Sequence, residues 1–169
     1  MANTYTLIAS STVGSGGVAD ITFSAIPATY TDLLIKLSLR SNQSQIYGSC
    51  RISFNNSTSN FTYKVVYGEG ANAASFGGST NFMLDQNGDT STASTFSNTE
   101  IYIPNYASSN YKSFSADAVT ENNATTAYAE LGAFLWSDTA AITSVKISTT
   151  STNLWKEYST AYLYGIKSS

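Results

Sequence analysis

The sequence predicts an all-β chain, folded as an antiparallel two-sheet β-sandwich, jelly-roll-like. Three observations carry that expectation. Apolar residues recur with a period of two along most of the chain. Clusters of Gly, Asn, Asp, Ser and Pro interrupt these runs at short intervals. No stretch sustains the i, i+3, i+4 spacing of an amphipathic helix.

Taken in chain order, strands are expected near 3–13, 18–24, 33–40, 49–54, 61–67, 80–85, 99–103, 111–119, 125–136, 141–149 and 157–166. Leu33, Ile35, Leu37 and Leu39 alternate with Leu34, Lys36, Ser38 and Arg40. Cys50, Ile52 and Phe54 share one face, as do Phe61, Tyr63, Val65 and Tyr67. Tyr158, Thr160, Tyr162, Tyr164 and Ile166 share a face of the last run. Such half-buried alternation belongs to antiparallel sheets, and Thr, Tyr, Val, Ile and Phe suit a pleated surface. The turns are Gly14 to Gly17, Pro27 to Asp32, Asn55 to Asn60, Gly68 to Gly78, Asn87-Gly88-Asp89, Asn105 to Asn110, Glu121 to Asn123, and Ser137-Asp138. With 169 residues and no dividing linker, residues 1–169 read as one domain.

Composition narrows the function. Charged residues are 11% of the chain, against about 25% in ordinary domains. Their place is taken by 27 Ser, 22 Thr and 14 Asn. Eight Lys and Arg against eleven Asp and Glu give a pI near 4.7, so no basic field holds nucleic acid. No apolar run is long enough to span a membrane, and no signal-peptide pattern follows Met1. Cys50 has no disulfide partner, and its alternation with Ile52 and Phe54 makes it a small core residue. The absence of His removes the commonest general base, so abundant Ser residues lack their usual activator. No enzyme activity and no cofactor are expected.

Other candidate sites have bland counterparts. Asp85-Gln86-Asn87-Gly88-Asp89 spaces oxygen side chains as a calcium loop does, yet Phe96 stands where such a loop closes on Glu. The plainer expectation is a hairpin turn with Asn87 and Gly88 at positive φ. Glu100, Asp117, Glu130 and Asp138 are the carboxylates a glycosidase would need in pairs, but no spacing joins any two. Gly14 to Gly17 lacks the Lys and helix of a phosphate loop. Asn42, Asn55, Asn56, Asn60 and Asn123 stand in glycosylation sequons, chance matches in so Ser/Thr-rich a chain. Trp136 closes a run whose other face is Ala129, Leu131, Ala133 and Leu135, which suggests an outward ring at the strand end. Trp155 falls in a turn-like segment and suits a surface role.

The opening segment from Thr4 to Ser41, TYTLIASSTVGSGGVADITFSAIPATYTDLLIKLSLRS, and the closing AYLYGIKSS resemble small β-rich virion proteins of tailed bacteriophages, marine phages and cyanophages included. The matching pieces cover about a third of the chain, at its ends, and carry no functional residue over. The resemblance implies a structural protein on the virion capsid surface, assembled in a bacterial cytoplasm. The first reading is a capsid decoration, or cement, protein that binds the major capsid protein in its assembled shell. Binding only the assembled form would stabilise it by mass action. Such a protein is expected to be a homo-oligomer, a trimer by choice, to match a threefold lattice position. Tyr5, Tyr30, Tyr106, Tyr111 and Trp155, near turns or strand ends, are the expected interface residues. The second reading is a receptor-binding tail-fibre tip, or a carbohydrate-binding module, that grips host glycan.

Overall fold

A computed structural model of the chain describes residues 4–121, 123, 127–150 and 152–167. Among the described residues there are twelve strands in two antiparallel sheets that face each other as a sandwich. In chain order they are β1 (Tyr5–Thr12), β2 (Asp20–Phe23), β3 (Asp32–Ser38), β4 (Tyr47–Phe54), β5 (Phe61–Glu69), β6 (Asn72–Gly78), β7 (Phe82–Asn87), β8 (Asn98–Ile103), β9 (Lys112–Val119), β10 (Tyr128–Trp136), β11 (Val145–Ser148) and β12 (Thr160–Ile166). The large sheet has the order β1-β12-β3-β8-β9-β10-β5-β6, and the small sheet β2-β11-β4-β7.

Eleven of these strands answer to expected runs, and β6 does not. The segment from Gly68 to Gly78, expected as a turn, contains a strand that pairs with β5 from Glu69↔Asn72 to Tyr63↔Gly78. Its small neutral residues show no apolar alternation, so the backbone ladder alone places it. Ends shift by a few residues elsewhere. The last strand starts at Thr160, which leaves Tyr158 outside it, and the expected strand residues 3, 125 and 126 lie outside the described residues.

The buried apolar side chains form one contiguous cluster between the sheets. Leu33, Ile35 and Leu37 of β3, Ile101 and Ile103 of β8, and Ala161 and Leu163 of β12 face inward from the large sheet. Cys50, Ile52 and Phe54 of β4 and Val145 and Ile147 of β11 meet them from the small sheet. Aromatic rings bridge the layers near β9 and β10. Phe54 lies 5.3 Å from Phe114 and 5.4 Å from Trp136, both edge-on, and Phe114 stacks on Phe134 at 5.1 Å. Trp136 is therefore a core residue, contrary to the outward ring expected. The inward face of β10 is Tyr128, Glu130, Gly132, Phe134 and Trp136, while Ala129, Leu131 and Ala133 point out. The expectation took the smaller aliphatic residues for the core, and the larger rings hold it.

Two positive charges are enclosed within loops. The Arg40 guanidinium donates to the carbonyls of Asp89, Ser91, Thr92 and Thr95 and to the Thr95 hydroxyl, at 2.8–3.3 Å. Lys112 Nζ donates to the carbonyls of Ser108 and Asn110 and lies 5.9 Å from the Trp136 ring centroid. Each satisfies carbonyls that a loop leaves without a ladder partner. The Gly14 to Gly17 turn is as expected. Gly16 and Gly17 take positive φ, and a side chain on Gly17 would collide with the Trp155 carbonyl at 2.6 Å.

Candidate functional site

The two outward faces of the sandwich differ in chemistry. On the small sheet, Thr22, Lys146 and Ser53 form one cross-strand row, and Asp20, Ser148 and Arg51 the next. That face is polar. On the large sheet, outward side chains run in register across all eight strands. One row is Leu7, Tyr164, Leu34, Tyr102, Ser115, Ala133, Lys64 and Gly77. The next is Ser10, Tyr162, Lys36, Glu100, Asp117, Leu131, Val66 and Ser75.

Apolar side chains gather at the two ends of this face. At the β1 end, Tyr5 is 57% and Leu7 52% exposed, with Tyr102 and Tyr162 nearby in the rows. At the β5 end, Leu131 is 58% and its cross-strand partner Val66 55% exposed, flanked by Ala129 and Val119. Singly exposed apolar residues are ordinary, whereas neighbours in register across strands form a patch. Between the ends lies a charged centre. Lys36 Nζ is 2.7 Å from Glu100 Oε2, and this partner raises the Lys36 pKa. Asp117 sits opposite Glu100, and partial burial, then the Glu100 charge, raises its pKa. The Tyr102 hydroxyl donates to Asp32 Oδ2 at 2.7 Å, which raises the Tyr102 pKa.

The expected interface residues separate into three groups. Tyr5 and Tyr111 are well exposed, Tyr5 on the large-sheet face and Tyr111 just before β9. Tyr30 is half-buried; its ring covers Gly165 and carries Lys167 Nζ at 5.5 Å from its centroid. Tyr106 and Trp155 are fully buried, against the surface placement expected. The Tyr106 hydroxyl donates to the Pro27 carbonyl and ties two loops together. Trp155 bridges Val18 and Ser41 through its backbone, and its Nε1 donates to the Ile147 carbonyl at 3.2 Å. A short irregular segment looked like a loop tip in the sequence; in the fold it is a pinned plug. The sequence missed Tyr158, 70% exposed and held at φ 70°. A bulky residue at positive φ is strained, and strain of about 1–3 kcal/mol persists where the surroundings fix it.

The carboxylates pair in a way no spacing foretold. Glu130 points inward from β10, and its Oε2 accepts the Asp85 backbone N–H at 2.8 Å, which closes the free side of β7 at that point. Burial, then the Asp85 charge, pushes the Glu130 pKa up to about 8, and burial pushes Asp85 up to about 6. Asp85 Oδ1 is buried with no hydrogen-bond partner among the described residues. Both acids are buried, and the contact that joins them is the Asp85 backbone N–H to Glu130. Glu100 and Asp117 pair on the open face, and Asp138 accepts the Ala140 N–H at 2.8 Å. Cys50 is buried beside Ile52 and Phe54, and burial pushes its thiol pKa up, which disfavours the thiolate.

The acidic ends of the Asp85 to Asp89 stretch diverge. The Asp85 side chain is buried on the Ser49 side of the small sheet, and Asp89 pairs with Lys156. Neither Asn87 nor Gly88 takes positive φ, so the expected hairpin turn is absent too. Both residues continue β7 into the loop that encloses Arg40, and the Gln45 carbonyl lies so close to Gly88 that no side chain fits. Among the sequons, Asn55 ties its own loop: its amide donates to the Ala141 carbonyl and accepts from the Thr143 and Ser144 N–H groups. Asn123 is described, while its sequon residues 124 and 125 lie outside the described residues.

No family model matches the chain, and no curated protein or solved structure matches it significantly.

Proposed function

We propose that the chain is a virion structural protein, a capsid decoration protein that docks onto the assembled shell of major capsid protein through the outward face of its large sheet. The observation that carries this reading is the asymmetry of the two faces. The small sheet turns Thr, Ser, Lys and Arg outward, and the large sheet turns Leu7, Tyr5, Leu131 and Val66 outward in register. Protein interfaces are enriched in aromatic residues and have apolar patches with polar rims, and each apolar end of this face is such a patch, with the Lys36–Glu100 pair on its rim. With so few charges, such contacts are little screened by salt. The strained, exposed Tyr158 fits a docking residue whose conformation is kept at a cost.

The strand order supports the finer fold reading. Without the hairpins β5–β6 and β9–β10, eight strands remain in two sheets, β1-β12-β3-β8 and β2-β11-β4-β7. Successive strands of this frame cross between sheets except from β4 to β7, which is the jelly-roll pattern used by viral capsid and lectin domains. The two hairpins then extend one sheet of the roll on one side.

A second reading, a tail-fibre tip or carbohydrate-binding module, is favoured by one feature. A shallow depression on the large-sheet face is lined by Tyr5, Leu34, Lys36, Glu100 and Tyr164, which sets aromatic rings beside an ion pair. Flat rings and polar groups together suit a sugar.

Co-sedimentation separates the two. A decoration protein pellets with assembled shells, ignores dissociated capsid subunits, and occurs in purified particles at copy numbers comparable with the major capsid protein. Binding to host cells or glycan arrays, with no affinity for shells, would replace the first reading with the second. Binding to neither would remove both.

A further inference from the structure

Four strands end the two sheets: β1 and β6 the large one, β2 and β7 the small one. Each offers a row of backbone groups that another strand could pair with. Three of them are guarded. β2 is four residues long and begins with Asp20. β1 carries a bulge at Ile8, where the register shifts between Leu7 and Ala9, and bulges twist an edge away from flat pairing. β7 is closed from within: Asp85 N–H meets Glu130, and the Asn87 carbonyl accepts the Ser41 N–H at 2.8 Å. β6 has no guard among the described residues. It is seven residues long, every one exposed, and its sequence Asn-Ala-Ala-Ser-Phe-Gly-Gly holds neither charge nor Pro.

We propose that β6 pairs antiparallel with β6 of a second copy of this chain, about a two-fold axis at Ser75, so that two large sheets become one sixteen-stranded sheet. The register follows from the hairpin. Gly70 and Ala71 form the two-residue turn between the paired Glu69 and Asn72. In an antiparallel ladder that closing pair is hydrogen-bonded, and alternate residues then point their N–H and C=O groups to opposite sides. Asn72, Ala74, Phe76 and Gly78 bond to β5, and Ala73, Ser75 and Gly77 face the open side. These three are symmetric about Ser75. In a self-pair, Ser75 meets Ser75, and Ala73 of each copy meets Gly77 of the other. Every open N–H and C=O of the three is used, with no register slip needed.

The side chains permit this approach. Ala, Ser and Gly are the smallest available, and the one bulky residue, Phe76, turns inward against Tyr63, Tyr67 and Phe82 at 5.5–5.9 Å. An identical copy brings identical charges, so a charged edge would repel itself. This edge is neutral, and the nearest charges, Lys64 and Glu69, belong to β5. Residues paired across an antiparallel ladder point to the same face. The row Leu131, Val66, Ser75 therefore continues into Ser75, Val66 and Leu131 of the second copy. The dimer presents both apolar faces on one side, which would give docking on a repeating lattice the benefit of avidity. The pairing itself does not rest on the docking reading.

Sedimentation velocity of the full chain over a dilution series tests it. The expected result is a reversible species of twice the 18.0 kDa chain mass. Ser75→Pro removes an open-side N–H, a position where an edge strand tolerates proline, and Ser75→Lys sets two like charges face to face. Both are expected to return the chain to 18.0 kDa with circular dichroism unchanged. Ser75→Cys is expected to cross-link into a covalent dimer under mild oxidant, because a hydrogen-bonded pair holds its Cα atoms about 5.5 Å apart. Cys50 is buried and contributes no background. A monomer at every concentration, a trimer, or a dimer indifferent to Ser75→Lys and without the cross-link overturns the proposal. A dimer that fails to bind shells would leave this pairing standing and remove the docking reading alone.

Discussion

β6 and β7 are edge strands of nearly equal length, seven and six residues, each without a stabilising partner strand on one side. All of β6 is exposed, whereas β7 is buried from Met83 to Asn87. The chain finishes β7 with its own groups: the Glu130 carboxyl, the Ser41 N–H, and the loop gathered around Arg40. It leaves β6 unfinished. A fold that spends a buried acid on one edge has the means to close an edge, so an edge left open and neutral is available for pairing from outside. The same contrast divides the outward faces, polar on the small sheet and carrying exposed apolar patches at both ends of the large one.

The closed side breaks with the largest effect. Arg40→Met removes five hydrogen bonds and takes the donor from the carbonyls of Asp89, Ser91 and Thr95, while the Thr92 carbonyl keeps the Thr95 N–H and hydroxyl. Bonds to a charged group are worth about 1.5–3 kcal/mol each, and neighbours do not add fully, so a loss of about 3 kcal/mol or more is expected in urea unfolding. A loss below about 1 kcal/mol would mean the loop finds water instead.

Next comes the acid pair. Glu130 and Asp85 titrate in the fold near 8 and 6, above the ordinary carboxylate range, so the fold favours their protonated forms. Their contribution is fully present below about pH 4 and is lost as the pH rises through 6 and then 8. Thermal unfolding is expected to show a falling Tm across that window. Glu130→Gln keeps an acceptor for the Asp85 N–H and removes the charge, so it is expected to flatten the fall above pH 6. A Tm that rises from pH 5 to pH 8 in both proteins would contradict the assignment.

Smaller effects sharpen the open side. Tyr158→Gly relieves the positive φ and is expected to raise stability by about 1 kcal/mol. If Tyr158 docks, the same change weakens shell binding, so stability and binding move in opposite directions. Ser75→Thr, exposed on β6, is expected to change chain stability by less than about 0.5 kcal/mol, as measured by urea unfolding.

The frame of the sandwich was legible because its strands bury alternate residues: Leu33, Ile35 and Leu37, or Cys50, Ile52 and Phe54, announce both strand and face. β6 was not, because a strand placed by backbone pairing alone leaves no side-chain pattern. Trp136 was assigned to the wrong face by the Ala and Leu residues opposite it. Leu131, apolar and outward, was the misleading one, and its exposure is what the docking reading uses. Glu130 shares parity with Phe134 and Trp136. A lone acid on the face of the large rings was a signal that it is buried, but nothing local could name Asp85, 45 residues away, as its partner. Trp155 and Tyr106 sit in segments without period two, where burial depends on how distant loops close over them.

The most direct test of the docking face is co-sedimentation with assembled capsid shells for three chains of equal Tm: wild type, Leu131→Lys on the large-sheet face, and Thr22→Lys on the small-sheet face. Wild type and Thr22→Lys are expected to pellet alike, and Leu131→Lys to lose about tenfold or more in affinity, about 1.4 kcal/mol. Binding that survives Leu131→Lys and fails with Thr22→Lys would put the partner on the polar sheet and contradict the account.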